Sequence, residues 1–402
     1  MALPLEGIHV VDAAQIYAGP GTAMLLADQG ADVIKLEPPG GDGSRHMYTS
    51  PALGPFGKSF LVLNRNKRSI VADLTRPEGR EVLHRLARWA DVMISNLLPA
   101  TAARLEADYE SLSRINPRLV YAAVSTFGSR GPDAGKPGYD LLVQARAGIL
   151  ASRRMPDGTP VTPATMVADL SCSMLLSYAI MAALWERQRT GRGRLVEISL
   201  MGMALAIQSQ QLVRIAGDDT PIPGSRPSAL SSPYRCADGR WLMMVVITTR
   251  QWEGLCRVLD LEHLVEDPAL ATYDSRSRHT PELSEVLTAV IATRPLDEWL
   301  PLWEAAGVPC APVVEREEVF DDPHLLANQM FVSTQHPVVG KVEMLGFPFT
   351  LSGQQQDERL RRPAPAIGEH SRETLAELGY TPEEIASLLA SGAVQGPLGE
   401  GG

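Results

Sequence analysis

The amino-acid sequence predicts an α/β fold in which a parallel sheet covered by helices is followed by a smaller α+β domain. In the first half of the 402-residue chain, β-branched segments such as IHVVDAA and SIVADL alternate with helical segments across short connections. This alternation is typical of right-handed βαβ units. Between Gly217 and Pro233 the composition changes to Asp, Pro, Gly and Ser, which indicates a linker. Beyond it, a hairpin turn at Asp238-Gly239 and amphipathic segments predict the α+β domain.

The elements of the first half follow from the hydrophobic pattern. Strands are expected at IHVVDAA, VIKLE, SIVADL, DVMIS, RLVYAAVST and LVEIS, and helices over residues 77–90, 99–107, 140–150 and 171–189. The apolar run from Met174 to Trp185 is shorter than the roughly 18 residues of a membrane span, so it predicts a buried core helix. Later, STQHPVVGKVEML predicts a hairpin and residues 382–390 a last helix, before a disordered GPLGEGG tail.

Composition and charge argue against several classes of protein. Acids outnumber bases 47 to 37, and the net charge of −10 disfavours binding to nucleic acid or to anionic membranes. The N-terminal MALPLEG lacks the features of a secretory signal, so a cytoplasmic location is expected. The four cysteines are far apart and the eight histidines are scattered, which predicts reduced packing thiols and no metal site.

The stretch AGPGTAM, followed by VIKLE, has the outline of a dinucleotide-binding unit in which Glu37 would hold a ribose. However, Met24 stands where the third small residue of G-x-G-x-x-G belongs, and Pro20 lacks an N–H that a pyrophosphate would use. A nicotinamide-dependent dehydrogenase is therefore the weaker hypothesis from this stretch. No G-x-S-x-G, Walker A or H-E-x-x-H sequence is present.

Two polar features have both a functional and a structural interpretation. Asp169, in MVADLSCS, precedes the long predicted helix, where a helix N-terminus favours an anion, but an Asp there is more often an N-cap. The basic run NRNKR, from Asn64 to Arg68, could hold a phosphate or could be a solvated turn. The residues alone leave these alternatives open.

Eight segments in a fixed order cover nearly the whole chain and together resemble one family. They are D-x-x-x-x-x-AGP at 12–20, ADVIKLEPPGGD at 31–42, NKRSIVADLTRPEGR at 66–80, INPRLVYAAVSTFGSRGP at 115–132, PGYDLLVQARAG at 137–148, TGRGRLVEISL at 190–200, AGVPCAPV at 306–313 and RPAPAIGEH at 362–370. This pattern resembles the family III CoA-transferases, which include formyl-CoA and carnitine CoA-transferases and the divergent α-methylacyl-CoA racemases.

The resemblance implies a Rossmann-like large domain over residues 1–215, a small α+β domain over 226–330, and a C-terminal segment over 331–402 that returns to the large domain. It also implies a homodimer of two interlocked chains. The expected partners are an acyl-CoA and a carboxylic acid. Coenzyme A is then a substrate, and no permanently bound cofactor is expected.

The resemblance also implies roles for individual residues of this chain. The nucleophile would be Asp169, the positions contacting coenzyme A would be Ala18, Thr75, Asn96, Arg104 and Lys136, and the acyl site would be lined by Tyr17, Tyr139 and Asp140. This chain departs from the family pattern at Pro38, Leu97 and Leu98, and Thr75 replaces a frequent lysine. The cations available for the phosphates are Arg45, Arg76, Arg104 and Lys136.

The function that this resemblance implies is transfer of CoA through an aspartyl-acyl anhydride and an aspartyl-CoA thioester. An α-methylacyl-CoA racemase is the alternative, and it needs two proton-transfer groups. Tyr139 and Thr248 stand where the racemase branch has a histidine and a glutamate, and a tyrosine with a pKa of about 10 is a poor base at neutral pH. A catalytically silent CoA-binding protein is a further hypothesis.

Overall fold

The computed structural model describes residues 2–217 and 228–397. The chain divides into two compact units, one formed by residues 1–222 with 327–402 and the other by residues 223–326. The C-terminal segment thus belongs to the same unit as the N-terminal half. The predicted linker and the GPLGEGG tail lie partly outside the described residues, at 218–227 and 398–402.

The strands are β1 (His9–Asp12), β2 (Asp32–Glu37), β3 (Lys67–Ala72), β4 (Val92–Ser95), β5 (Val120–Ser125), β6 (Leu195–Ser199), β7 (Pro233–Arg235), β8 (Trp241–Met244), β9 (Cys310–Val313), β10 (Phe331–His336), β11 (Gly340–Leu345) and β12 (Val394–Gln395). The helices are α1 (Ala18–Ala27), α2 (Lys58–Leu63), α3 (Pro77–Trp89), α4 (Pro99–Arg104), α5 (Tyr109–Ile115), α6 (Asp140–Arg146), α7 (Val167–Thr190), α8 (Leu200–Ala206), α9 (Thr249–Val258), α10 (Tyr273–Arg278), α11 (Thr280–Ile291), α12 (Leu296–Ala305), α13 (Pro323–Ala327), α14 (Ser371–Glu377) and α15 (Pro382–Ala390).

A seven-stranded sheet forms the centre of the first unit, in the order β12-β3-β2-β1-β4-β5-β6. Strands β1 to β6 pair in parallel, and only the short β12 runs antiparallel, opposite Ala72 and Val71 of β3. The mixed α/β prediction with a parallel sheet is therefore confirmed. The six strands predicted in the first half occur at the predicted places along the chain, because each is a β-branched run bounded by turn residues.

The sheet separates two hydrophobic core clusters. Side chains alternate along a strand, so Val10 of β1 packs in the first cluster and Val11 in the second, and neither side chain is exposed. Helices α1, α6, α7 and α8 cover the first cluster, whereas α3, α5, α14 and α15 cover the second. Strands β1 to β4 are thus buried on both faces, as parallel strands covered by helices are expected to be, whereas β6 at the edge of the sheet is partly exposed.

The glycines of AGPG serve helix packing. They lie in the first turn of α1, and a Cβ added at Gly21 would collide with the hydroxyl of Ser173 on α7. A Cβ at Gly19 would collide with Ala14 in the preceding loop. Pro20 is tolerated because the N–H groups of a first helical turn have no intrahelical partner. The motif therefore brings the backbone of α1 close to α7.

Helix α7 differs from its prediction in two ways. It begins at Val167, about four residues before the predicted start, and part of its apolar surface is exposed. The exposed side chains include Met174, Tyr178 and Trp185, and the last is 66% exposed. The prediction of a buried core helix is therefore correct for one face only. Helix α7 is also long and apolar enough to cross a membrane, with a mean hydropathy of 1.7, but core helices pass the same test.

The second unit is built around a three-stranded antiparallel sheet in the order β7-β8-β9. The predicted turn between β7 and β8 contains Gly239, whose φ of +85° is one that glycine adopts without strain. Three buried tryptophans, Trp252, Trp299 and Trp303, dominate the core of this unit. Helix α9 begins with a capping box in which Thr248 and Gln251 bond each other's backbone N–H groups.

Candidate active site

The order of the strands creates a crevice at the carboxyl edge of the sheet. The strand order reverses at β1, because β2 lies on one side of it and β4 on the other. Helix α1, which follows β1, packs on the first core cluster, whereas α5, which follows β4, packs on the second. The loops after β1 and β4 therefore diverge, and ligands of open α/β sheets bind at this point.

A cavity of about 310 Å³ occupies this crevice. Its wall is built by the loops after β1, β4 and β5, by the start of α7 and by the end of β6. Six of the nine predicted site residues line it, namely Tyr17, Ala18, Asn96, Lys136, Tyr139 and Asp169. A volume of this size is at the lower end for small-molecule sites. The two leucines that depart from the family pattern, Leu97 and Leu98, also line the cavity and make its wall more apolar.

Asp169 lies in the first turn of α7 and is half-buried at the cavity wall. The N-cap residue of α7 is Met166, and no side chain caps this helix. The alternative interpretation of Asp169 as an N-cap is therefore wrong. Instead, the backbone N–H of Asp169 donates to Oδ2 of Asp140 at 2.9 Å. Asp169 lines the cavity, and its side chain makes no capping hydrogen bond.

The environment of Asp169 favours its neutral form. Burial raises the pKa of its carboxyl group to about 7, and the negative charge of Asp140 adds to the increase. The positive end of the helix dipole would lower this pKa, but burial outweighs it. Near neutral pH, a large fraction of Asp169 is ionised, and the carboxylate is more basic than an exposed aspartate.

Asp140 is almost completely buried, with 1% of its surface exposed, and it does not belong to the cavity lining. One carboxylate oxygen accepts from the backbone of Asp169, and the other accepts from the side-chain amide of Gln144. The structure therefore places Asp140 behind Asp169, where it fixes the start of α7 and contributes charge. The resemblance to the family had implied instead that Asp140 lines the acyl site.

Two tyrosines line the cavity in different environments. The hydroxyl of Tyr17 is 2.9 Å from Oγ of Ser59. Burial raises the pKa of the Tyr17 phenol, and the charge of Asp169 is one of the smaller causes, so this phenol lies within electrostatic reach of Asp169. Tyr139 is 70% exposed and precedes α6.

The loop after β1 is held in an unusual conformation. Ile16 has a φ of +76°, which is rare for a β-branched residue and costs roughly 1–3 kcal/mol. Its N–H donates to Oδ1 of Asp42 at 3.2 Å. The side-chain amide of Asn96 bonds both the N–H and the C=O of Gln15, at 3.0 and 2.9 Å. The Asn96 side chain thus joins the loops after β1 and β4.

Beneath this loop lies a buried charge network that the sequence interpretation missed. Nζ of Lys35 is 2.7 Å from Oδ2 of Asp42 and 3.5 Å from Oδ2 of Asp12. Nζ of Lys67 donates to the same oxygen of Asp12 at 2.8 Å and to the carbonyl of Pro20 at 2.9 Å. A lysine inside the apolar strand VIKLE was the available signal, because a fully buried ammonium group needs a charged partner.

Burial and pairing set the pKa values of this network. Burial lowers the pKa of Lys67 to about 8, although Asp12 opposes the change. Burial alone would raise the pKa of Asp42, but the charge of Lys35 and the hydrogen bonds from Lys35 and Ser44 together outweigh it and lower this pKa to about 2. Burial would likewise lower the pKa of Lys35, but the charges of Asp12, Asp42 and Glu37 raise it. The two lysines, Lys35 and Lys67, and the two aspartates, Asp12 and Asp42, are therefore held together by the attraction between their opposite charges.

Several residues considered for anion or ribose binding are buried in ion pairs. Glu37 accepts from Nη2 of Arg45 at 2.7 Å and from the hydroxyl of Ser69 at 2.6 Å, so it does not hold a ribose. Arg45 is correspondingly occupied and does not serve as a phosphate ligand. In the NRNKR run, Arg65 pairs with Asp28 at 2.6 Å. Both the phosphate and the solvated-turn interpretation of this run are wrong, because its cations belong to the core.

Of the three other residues predicted to contact coenzyme A, two lie outside the cavity and one lines it. Thr75 is exposed and its hydroxyl donates to Asp73 at 2.6 Å, and Arg104 is exposed at the end of α4. Neither lines the cavity. Lys136 lines it but is paired with Asp133 at 2.6 Å. Contacts between these residues and coenzyme A stay a prediction.

All four cysteines are free thiols, and burial raises the pKa of Cys172 and of Cys256 to about 12. These two thiols therefore stay protonated at neutral pH. Within residues 2–217 and 228–397, no three His, Cys, Asp or Glu side chains are grouped to hold a metal ion.

Comparison with known proteins decides the family. The family model of CoA-transferase family III matches residues 5–371. This chain belongs to that family. The chain is accordingly an enzyme that transfers coenzyme A, and the resemblance stated from the eight segments is confirmed.

Similar proteins match over nearly the whole family III chain. It is 30% identical over 397 residues to succinyl-CoA:glutarate CoA-transferase of Mus musculus, covering 98% of this chain and 90% of that protein. It is 34% identical over 385 residues to succinate–glutarate CoA-transferase of Agrobacterium fabrum, covering 93% and 96%. A CAIB/BAIF family protein from Brucella suis superposes with a TM-score of 0.82 at 30% identity, covering 94% of this chain and 100% of that one. For the Rv3272 protein of Mycobacterium tuberculosis in its orthorhombic form, the TM-score is 0.81 at 30% identity, with 92% and 99% covered.

Proposed function

We propose that this family III enzyme moves CoA from an acyl-CoA donor to a carboxylic acid acceptor, with Asp169 as the group that carries the intermediates. The observation that carries the proposal is the place of Asp169, a half-buried carboxylate with a pKa raised to about 7 at the wall of a cavity. That cavity lies at the carboxyl edge of a parallel sheet, where α/β proteins bind their ligands.

The proposed first half-reaction conserves the energy of the thioester. A carboxylate oxygen of Asp169 attacks the carbonyl carbon of the donor, the carbon–sulfur bond breaks, and the CoA thiolate leaves a mixed anhydride on the enzyme. The thiolate then attacks the carbonyl carbon of Asp169. This step releases the donor acid as a carboxylate and leaves an aspartyl-CoA thioester.

The second half-reaction reverses these steps with another acid. The acceptor carboxylate attacks the carbonyl carbon of Asp169, forms a new anhydride and expels the CoA thiolate. The thiolate attacks the acyl carbon of the acceptor, which gives the new acyl-CoA and regenerates the Asp169 carboxylate. The two halves balance without a net gain or loss of protons.

The surroundings of Asp169 support this chemistry. A carboxylate whose pKa is near 7 is a better nucleophile than an exposed aspartate and is still partly ionised at neutral pH. Both activated intermediates are sensitive to water. The apolar side chains of Leu97, Leu98 and Leu200 line the same cavity and favour an acyl chain over water. Asp140 holds the backbone of Asp169 in place.

Racemisation is the less favoured alternative. It requires two proton-transfer groups on opposite faces of the acyl α-carbon. Tyr139 is largely exposed at the cavity, and the hydroxyl of Thr248 is used to cap α9. The dehydrogenase alternative loses its support because Glu37 is buried against Arg45 and Ser69.

The proposed assembly is a homodimer of interlocked chains. Its support in this chain is the exposed apolar face of α7, where Leu170, Met174, Tyr178, Met181 and Trp185 follow one another at helical spacing of three or four residues. Exposed apolar stripes of this kind commonly mark protein interfaces. Light scattering on the purified protein tests it, and a mass near 43.5 kDa would contradict it.

The test of the mechanism compares two carboxylate variants in a CoA-exchange assay with acyl-CoA and a panel of acids. Asp169→Ala is expected to abolish transfer and to leave the affinity for CoA nearly unchanged, because Asp169 is proposed as nucleophile and not as anchor. The control is Asp108→Asn, which removes the carboxylate that caps α5 outside the cavity and is expected to retain transfer. Retained turnover in Asp169→Ala would contradict the covalent mechanism.

A further inference from the structure

We propose that Asp42 and Lys35 are positioning residues that hold the loop Ala14–Tyr17 in the conformation that receives coenzyme A. The inference rests on the proposed function in one respect, since that function places the acyl-CoA in the cavity that this loop lines. It assigns a role to two side chains that do not line the cavity. They act through the backbone of residues that do line it.

The buried ion pair of Asp42 and Lys35 is hydrogen-bonded to the backbone of the loop at two points. The Asp42 and Lys35 side chains are both fully buried, with 2.7 Å between Nζ and Oδ2. Oδ1 of Asp42 accepts from the N–H of Ile16 at 3.2 Å and from the N–H of Ser44 at 2.8 Å. Nζ of Lys35 donates to the carbonyl oxygen of Ala14. The loop backbone is therefore tied to β2 and to the segment that follows it.

A third anchor acts from the opposite side of β1. The amide of Asn96 donates to the carbonyl of Gln15 and accepts from its N–H. Asn96 directly follows β4, whereas Lys35 belongs to β2, and these are the two neighbours of β1 in the sheet. The loop is thus fixed between its two flanking strands. Because the nitrogen and the oxygen of its side-chain amide are both hydrogen-bonded to Gln15, Asn96 helps to hold the loop in place.

The backbone conformation of Ile16 indicates that surrounding contacts hold the loop in place. Its φ of +76° lies in the left-handed region, where a β-branched side chain is strained. Such strain persists only where surrounding contacts enforce it. Asp42 provides that contact, because its carboxylate accepts the N–H of the strained residue. The next two residues, Tyr17 and Ala18, face the cavity, so the strained turn sets their position.

The test measures the dissociation constant of free coenzyme A by isothermal titration calorimetry with the full chain. Asp42→Ala is expected to weaken binding at least tenfold, because Ile16 relaxes and moves Tyr17 and Ala18. The double variant Asp42→Ala with Ile16→Gly is expected to recover at least threefold of that loss, because glycine adopts positive φ without strain. Asp28→Ala is the matched control, since it breaks a buried ion pair with Arg65 away from the cavity and is expected to change binding less than twofold.

A second variant tests the loop without touching the buried ions. Ile16→Pro removes the N–H that donates to Asp42 and fixes φ near −65°, so it is also expected to weaken binding at least tenfold. If Asp42→Ala does not fold, the affinity of Ile16→Pro for coenzyme A tests the inference. Unchanged affinity in Ile16→Pro would overturn the inference. So would an equal loss of affinity in Asp28→Ala, or the absence of any recovery with Ile16→Gly, because both outcomes indicate general destabilisation.

The result of this binding test can be distinguished from the result of the test of the covalent mechanism. Binding of free coenzyme A does not require Asp169 to react. A natural chain that binds coenzyme A but forms no covalent intermediate would defeat the mechanism, and the dissociation constants of the loop variants would still decide the role of Asp42. Conversely, full transfer with unchanged affinity in the loop variants would defeat only the positioning role.

Discussion

Replacing the proposed nucleophile should stabilise the protein while it destroys activity. Burial and the charge of Asp140 raise the pKa of Asp169 from 3.8 to about 7. The folded protein therefore binds the Asp169 proton more tightly than the unfolded chain does. It follows that ionisation of Asp169 destabilises the fold as the pH rises from the unfolded pKa to the folded pKa. Asp169→Asn removes this penalty and keeps the backbone N–H that donates to Asp140.

The size of the effect follows from the two pKa values. One pKa unit corresponds to about 1.36 kcal/mol, so the penalty on the folded state approaches roughly 4 kcal/mol above pH 7. At pH 4, close to the unfolded pKa, most of it is absent. Asp169→Asn should therefore raise the free energy of unfolding by up to roughly 4 kcal/mol at pH 8 and by less than about 1 kcal/mol at pH 4.

Urea unfolding of both proteins at pH 4, 6 and 8 measures this difference. With an m value of about 3 kcal/mol/M, the midpoint at pH 8 should rise by about 1 M. Asp108→Asn is the control of opposite sign, because burial alone would raise the pKa of Asp108 but the hydrogen bonds to its carboxylate, first those from Ser111, together lower it. It should lose stability at pH 8 and approach the natural chain as the pH falls. An Asp169→Asn variant that is less stable at pH 8, or equally changed at all three pH values, would contradict a raised pKa at Asp169.

Two further predictions concern the same region. Asp140→Asn should move the rising limb of kcat/KM against pH to lower pH, because removing the charge of Asp140 lowers the pKa of Asp169; a pH–rate profile checks it, and a limb that stays in place contradicts it. Gly21→Ala should lower the free energy of unfolding by about 1–3 kcal/mol, because its methyl group collides with Ser173 of α7. Urea unfolding checks it against Gly396→Ala, where the backbone φ is not positive and a Cβ makes only an ordinary contact with Leu389 at 3.7 Å, and equal losses would contradict it.

Local pattern was sufficient for the sheet and for the position of the cavity. Each strand of the first half is a β-branched run, and the alternation with helices predicts parallel pairing without further information. Ligand-binding loops follow the carboxyl ends of such strands, which is where Tyr17 and Asn96 lie. Asp169 was singled out from its place near a helix start, but its chemistry came from the family resemblance. Its environment depends on Asp140, 29 residues away, which no local pattern reveals.

The missed features are contacts between distant parts of the chain. Lys67 pairs with Asp12 across 55 residues, so NRNKR could be read as a surface run although its cations are buried. The start of α7 was placed too late because Met166 is not a capping residue type. The exposure of α7 was missed because an apolar run does not indicate which face is covered. The interlocked dimer, the cytoplasmic location and the contacts of Ala18, Thr75, Asn96, Arg104 and Lys136 with coenzyme A stay predictions.

The most direct measurement is to incubate the enzyme with an acyl-CoA, trap it with hydroxylamine and analyse its peptides by mass spectrometry. Hydroxylamine converts an aspartyl anhydride or thioester to a hydroxamate, so the covalent mechanism predicts this modification on Asp169 and on no peptide from protein incubated without acyl-CoA. Active enzyme that shows an unmodified Asp169 peptide, or a modification on another carboxylate, would contradict it.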